Sequence, residues 1–529
     1  MRNDHTRMKN GTLLLLGLTL LIALSVSVCG QRKPNVIIIM TDQQQAHAFG
    51  REGFGLDTSP FRDALARKGV WFNRAYTSTP ECAPARVSLL TGRFCSAHGV
   101  RANPTVDSPE LRLGTTDMVS LLHSAGYTTA LIGKNHTYLK REDLDYLSGE
   151  TGSGKEDISD EQRQGEKEFD RWLVGLRHRV EPKPTPFPIE YQHPYRIVTD
   201  AEDWIEGLNE EQPFFLEMSF TEPHNPYQVP EPYFSLFPPE SIPPVHAGKE
   251  ILADKGFVWQ FTRQLGEKGF PNYEAILPRM RANYYGMIRL LDDQIGRFVQ
   301  FLEDKHLTEN TLIFIIADHG DYAGEYGLMR KGAGVPEVLT RIPFQVYGYQ
   351  VARDPEPQKA FVSIIDVFPT ICDAVQVEIP AGVQGRSLWP MITGQPYPER
   401  EFESIYVEQG YGGPAYGWDD PIDFKYGLRP AVTFDELNRY SQAGLMRMVR
   451  KGDWKLIVDQ DGNGQLYDLG KDPFELVNLY ARDGYGDVKI DLLKTMVTWM
   501  LRSVDPLPLP GGDYKQKKLE HNYWTEEKN

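Results

Sequence analysis

The sequence predicts an α/β protein built on a large, mostly parallel, doubly wound sheet flanked by helices, and three observations carry that expectation. Two apolar runs rich in β-branched residues, Asn35 to Met40 and Leu312 to Ala317, show no polar alternation, so both of their faces must be covered. Stretches with apolar residues near the helical period, Pro60 to Lys68, Asp117 to Ser124 and Tyr284 to Glu303, alternate with strand-like runs, as in α/β sheets. Polar, chemistry-bearing residues fall at the carboxyl end of each of four strand runs: Asp42-Gln43, Lys134-Asn135-His136, His224 and Asp318-His319. Strand carboxyl ends converge on a crevice in open α/β sheets, so these residues are expected to meet although they are far apart in the chain.

The elements follow in order. Arg2, Arg7 and Lys9 precede an apolar run from Gly11 to Val28, the pattern of an export signal over residues 1–29. Such a run is also just long enough to cross a bilayer. Val26-Ser27-Val28-Cys29-Gly30 looks like a bacterial lipobox, although Val28 departs from the small residue usual before a lipidated cysteine. Cys29 therefore marks either a lipid anchor or the neighbourhood of plain signal cleavage, and the chain is expected in the periplasm or at the outer membrane.

The first strand follows at once. Thr58-Ser59 reads as the cap of the helix starting at Pro60, and Gly69 as its stop. Shorter strands are expected at Thr128 to Ile132 and Phe214 to Phe220. Arg141 to Pro194 and Pro226 to Pro278 carry weak periodicity and many prolines, and read as long surface insertions of the kind that carry binding specificity. Past Pro390 the character changes. Arg447 to Arg450 and Trp454 to Val458 flank the turn Lys451-Gly452-Asp453, Gln465 to Leu469 forms another short strand, and a helix runs from Val488 to Ser503. The expected organisation is a catalytic α/β domain over residues 34–395 and a small antiparallel C-terminal subdomain over 396–529, without internal repeats.

Composition narrows the class. The chain has 529 residues, 40% of them apolar and 11% aromatic, which fits a globular protein. A net charge of −16 excludes a typical nucleic-acid binder. It leaves room for an anionic substrate, because a few cations in a cleft set the local field. Four cysteines do not make a disulfide scaffold; Cys95 and Cys372 either pair or stay free.

A lone cysteine in a proline turn is usually a small buried hydrophobe. Here Cys82-Ala83-Pro84-Ala85-Arg86 is followed by Leu89-Leu90-Thr91-Gly92-Arg93. The pattern resembles the C-x-P-x-R…LLTGR signature of type I sulfatases, the formylglycine-dependent branch of the alkaline phosphatase superfamily. Gly133-Lys134-Asn135-His136 is similar to that family's G-K-x-H, and Pro223-His224-Asn225-Pro226 to its P-H-x-P. Lys331 matches the lysine that follows the family's metal-binding D-H/N-G segment. The likeness continues through Phe361 to Thr370, Gln384 to Leu388 and Leu466 to Glu475, so it covers about residues 34–480.

The resemblance implies an alkaline-phosphatase-like fold and a set of roles. Cys82 is oxidised to formylglycine by a maturation enzyme. One hydroxyl of the hydrated aldehyde attacks sulfur, and the other later expels sulfate, whereas a thiolate would be left as a stable S-sulfo adduct. A divalent ion, usually Ca²⁺ and otherwise Mg²⁺ or another dication, sits among Asp42, Gln43, Cys82, Asp318 and His319. Two positions depart from the pattern: Gln43 is often a second aspartate and His319 often an asparagine. Arg86 orients the hydrate. Lys134 binds sulfate oxygens and His136 deprotonates the second hydroxyl, which a histidine can do near neutral pH. His224 and Lys331 hold the sulfate and protonate the leaving alcohol, with Arg330 as the neighbouring alternative to Lys331.

The function implied is a secreted bacterial sulfatase acting on sulfated carbohydrate. Two alternatives stay beside it: a phosphonate or phosphate ester hydrolase of the same superfamily, and a non-catalytic protein that binds sulfated glycans. Arg177, His178 and Arg179 in the first insertion read as a solvated charged run or as contacts to an anionic substrate.

Overall fold

Every residue of Asn35–Thr41 and of Thr311–Ala317 is buried, as two apolar runs without alternation require. The structure, a computed structural model, describes residues 32–103, 116–149, 158–209, 211–270, 272–332, 334–412, 415, 417–420, 444–505 and 518–525. The expected export signal over residues 1–29, including Cys29, lies outside the described residues. Pro34–Asn529 forms one unit.

Seven strands make the main sheet: β1 (Asn35–Thr41), β2 (Val70–Trp71), β4 (Thr128–Gly133), β5 (Tyr146–Ser148), β6 (Phe214–Ser219), β7 (Thr311–Ala317) and β8 (Phe344–Gly348). Two further short strands, β3 (Ala75–Tyr76) and β9 (Val362–Ser363), pair separately in parallel. The order is β2-β8-β7-β1-β6-β4-β5. The five strands from β7 to β5 run parallel, and β8 and β2 add an antiparallel edge. The predicted sheet is therefore present, in mixed form.

Strand alternation splits its core into two layers. Val36, Ile38 and Met40 face one side with Phe215, Phe314 and Leu131. Ile37 and Ile39 face the other with Leu216, Met218 and Ile313. Each fully buried aliphatic side chain contributes roughly 1.5–3 kcal/mol, so the sheet is a rigid platform for whatever its strand ends carry.

Helices cover both faces. α1 (Pro60–Ala66) lies where the pattern places it, but its cap is not the predicted one. The Ser59 side chain takes no backbone N–H; the Asp292 carboxylate accepts from the Phe61 N–H (2.7 Å) and the Arg62 N–H (3.1 Å) instead. α2 (Cys82–Thr91) is buried along its whole length over the first core layer. α3 (Tyr273–Asp304) starts eleven residues before the predicted helix and runs through Pro278. One lost i−4 hydrogen bond is outweighed there by burial of Tyr273, Leu277 and Met280. The two presumed insertions also hold regular structure, the helices Asp160–Leu176 and Phe257–Gly269.

The expected antiparallel C-terminal sheet and its packed helix are present. β10 (Ser404–Gln409), β11 (Met446–Lys451), β12 (Trp454–Asp459) and β13 (Gly464–Asp468) form an antiparallel sheet in that order. α4 (Gly486–Ser503) covers it through Leu492, Met496 and Trp499. A buried ionic cluster ties this sheet to the main body. Glu337 meets Lys455 Nζ at 3.0 Å, Arg450 Nη1 at 2.8 Å and the Tyr76 hydroxyl at 2.7 Å, and Lys455 also reaches Glu475 at 2.8 Å.

Burial alone would raise the Glu337 carboxyl, but Lys455 and Arg450 outweigh it and hold the group far below the usual carboxylate range. A depressed carboxylate stabilises the fold above its unfolded value and loses that effect as pH falls through the folded one. Glu337→Gln is expected to cost about 3–5 kcal/mol at neutral pH, since two buried cations lose their shared anion. Urea unfolding should show a deficit that shrinks in acid; a deficit independent of pH would assign the loss to packing.

Candidate active site

The carboxyl ends of β1, β4, β6 and β7 meet where two glycines let the backbone close in. Gly133, last in β4, has φ +103°, and a side-chain carbon on it would lie 2.0 Å from the Ser219 carbonyl oxygen. One on Gly320 would lie 1.9 Å from that of Val338. No other residue fits either place.

At the bottom lies Cys82, the first residue of α2 and 1% exposed. Its Sγ is 3.1 Å from Lys331 Nζ, 3.2 Å from His319 Nε2 and 3.6 Å from Asp42 Oδ1. Ligand atoms of Asp42, Cys82, Asp318 and His319 all lie within 4.8 Å of one another, forming a possible metal-binding group. His319 Nδ1 donates to the Gly320 carbonyl (2.8 Å), so Nε2 is the ring nitrogen turned inward, toward Cys82; burial opposes its protonation, but Asp318 and Cys82 raise it above its ordinary value. Gln43 stands beside this group. Its Oε1 accepts from Lys331 Nζ (3.1 Å) and its Nε2 donates to Asp321 (2.6 Å).

Arg86, one turn along α2, spans the two carboxylates. Nε bonds Asp318 Oδ2 at 3.1 Å, Nη2 bonds Asp42 Oδ2 at 3.0 Å, and Nη1 donates to Ser219 Oγ at 2.6 Å. Lys134 Nζ lies 2.7 Å from Asp42 Oδ2. His136 and His224 stand around this centre, each interacting electrostatically with Lys134, Lys331 and Asp42. His224 Nδ1 donates to the Asn225 carbonyl (2.7 Å), which leaves Nε2 free to accept a proton.

The electrostatics follow from burial against a ring of cations. Burial and Asp42 push the Cys82 thiol up, yet Lys331, Lys134 and His319 outweigh them and bring it down to about 6. Burial and the Lys134 and Arg86 charges take His136 down to about 3. Burial, Lys331 and Lys134 likewise hold His224 well below its ordinary value. Asp42 is lowered against its burial by Lys134, His224 and Arg86. Asp318 is raised by burial and by Asp42 beside it. A dication fits this donor set of two carboxylates, an amide oxygen nearby and an inward imidazole, since it would relieve the repulsion between Asp42 and Asp318.

Of the two candidate cations after β7, Lys331 is the one that reaches Cys82. Arg330 is turned away: Nε donates to Asn225 Oδ1 (3.2 Å) and Nη2 lies 2.6 Å from His178 Nδ1. His178 is thus bound to the site's surroundings, while Arg177 and Arg179 are exposed. Cys95 and Cys372 are both buried and free. Sequence reasoning missed Asp321, which holds Gln43, the Tyr227 hydroxyl (2.7 Å) and the Arg330 N–H (3.0 Å). It also missed Ser219, the partner of Arg86. Both sit in the motif strands' ends, where position alone marks them.

A doubly wound sheet that gathers carboxylates, a reactive side chain at a helix start and several cations at its strand ends defines an alkaline-phosphatase-like ester hydrolase. The chain belongs to the sulfatase family, whose description, Sulfatase, matches residues 34–377, and it is a sulfuric ester hydrolase. It is 29% identical to an arylsulfatase of Clostridium perfringens, over 88% of this chain and 94% of that one. It is 23% identical to an N-acetylglucosamine-6-O-sulfatase of Bacteroides thetaiotaomicron, over 90% and 89%. In fold it is similar to the phosphonate monoester hydrolase of Agrobacterium radiobacter, with a TM-score of 0.70, 23% identity, and coverage of 89% and 96%.

Proposed function

We propose that this enzyme removes sulfate from sulfated carbohydrates after Cys82 has been converted to formylglycine, with a divalent cation, calcium first, held by Asp42, Gln43, Asp318, His319 and residue 82. The observation that carries the reading is Cys82 Sγ, buried at a helix start between Lys331, His319 and Asp42. The name of the Bacteroides thetaiotaomicron relative supports a sugar substrate. Formylglycine supplies an oxygen nucleophile that can be regenerated, and the cation draws anionic oxygens to it.

The other residues have derivable work. Arg86 is fixed by three partners and holds both carboxylates toward the centre. Lys134 and Lys331 place two ammonium groups where sulfate oxygens would lie. His136, held down to about 3 by burial and the neighbouring cations, is neutral in the resting site and keeps a lone pair there; anionic charge entering beside it is what would make it basic enough to take a proton. His224 offers its bare Nε2; an entering sulfate monoester, being anionic, favours protonation and so equips it to protonate the leaving alcohol. The maturation enzyme acts on residue 82, and the export signal at residues 1–29 places the protein in the periplasm or, lipidated at Cys29, on the outer membrane.

Ion chromatography of products from a panel of sulfated sugars and phosphoesters tests the reading. Sulfate release from sulfated sugars is expected. Release of phosphate or phosphonate alone would assign the protein to the chemistry named for the Agrobacterium radiobacter neighbour. Glycan binding without release of either ion would make it a binding protein.

A further inference from the structure

β6 carries a residue that none of the chemistry above uses. Phe214, Leu216 and Met218 face one core layer, so Phe215, Glu217 and Ser219 face the other, beneath α2. Glu217 is 1% exposed. Its register neighbours are Ile38 on β1 and Leu131 on β4, both in the same apolar layer. Neither carboxyl oxygen has a hydrogen-bond partner among the described residues. Ser219, one step nearer the strand end on the same face, binds Arg86 Nη1.

The charged group that acts on Glu217 is Arg86 from α2. The Tyr138 phenol, on the segment after β4, is a second titratable group that feels its charge. A carboxyl buried among apolar residues without a partner costs stability, and leucine at this position would not. Burial accordingly pushes Glu217 up to about 7, with Arg86 opposing. A core position that gives up stability in this way is where a functional demand is to be sought.

We infer that Glu217 is a positioning residue for sulfate-ester hydrolysis, acting from within the core through Arg86. With its proton, the carboxyl leaves the guanidinium directed at Asp42 and Asp318. Without it, a third carboxylate shares that charge and the hold on the two weakens. The arrangement makes turnover sensitive to one buried proton well away from the reacting atoms. The inference rests on the hydrolase reading above.

The test compares kcat and KM of matured wild type, Glu217→Gln and Glu217→Leu from about pH 5 to about pH 8, together with melting temperatures. Wild-type kcat should fall several-fold on the alkaline side relative to both variants, with KM little changed. The stability sign is fixed independently. A carboxyl raised from its unfolded value binds its proton more tightly when folded, so wild type should lose stability relative to Glu217→Leu as pH rises through about 4.5 to about 7. Superimposable kcat profiles, or a difference in melting temperature that stays constant with pH, would overturn the inference. Should Glu217→Gln fail to fold, Glu217→Leu carries both readouts. Failure of wild type itself to release sulfate would sink the parent reading instead.

Discussion

Cys82→Ala is expected to lower sulfate release by at least about 10⁴-fold while the fold stays intact. The side chain lost is small, and its contacts are polar ones to Lys331, His319 and Asp42 rather than core packing. Everything that binds an anion remains: Lys134, Lys331 and Arg86 keep their other partners. The variant should therefore still bind a sulfated sugar, which calorimetry would register, while turnover disappears. Chain made without a maturation enzyme should behave alike, folded and nearly inactive, because its thiol is no substitute for the regenerable oxygen nucleophile. Turnover retained in Cys82→Ala, or full turnover with an intact thiol at residue 82, would remove covalent catalysis from the account.

Much of this centre was legible in the sequence because its supports are local. β1, β4, β6 and β7 announce themselves as apolar runs, Asp42, Lys134 and Asp318 follow directly and His224 within five residues, so a rule about strand ends sufficed to bring them together. What depends on long-range partners was not legible. Asp292 caps α1 from the distant helix α3, where Ser59 was the local candidate. β2, β3 and β9 have two residues each, too few to show a period. Pro278 hides the start of α3, since local rules make proline a stop while burial decides otherwise. His178 reads as part of a charged run until the structure sets it against Arg330 and Asn225. Glu217 sits inside an apolar run, where alternation gives it a face but not the Arg86 charge above it.

Asp42 and Asp318 flank the same guanidinium, yet their replacement by asparagine should have opposite thermodynamic signatures. Asp42 is lowered because Lys134, His224 and Arg86 outweigh its burial, so Asp42→Asn leaves buried cations short of an anion. It should cost the cation-free fold about 3–5 kcal/mol. Asp318 is raised, since burial and the neighbouring Asp42 charge together exceed what Arg86 and His319 return. Neutralising it relieves repulsion as it removes an ion pair, and the amide oxygen can still accept the Gln43 and His319 N–H groups. Asp318→Asn should therefore lie within about 1 kcal/mol of wild type in chelator. Its deficit appears only with the cation. Wild type should gain several degrees in melting temperature on addition of saturating calcium, and Asp318→Asn little, because the lost carboxylate is half of the charge that attracts the ion. Turnover in the variant should fall by about 10³-fold. Equal calcium shifts in the two proteins would place the ion elsewhere. A large deficit of Asp318→Asn in chelator would instead show that both carboxylates serve Arg86 first and the cation second.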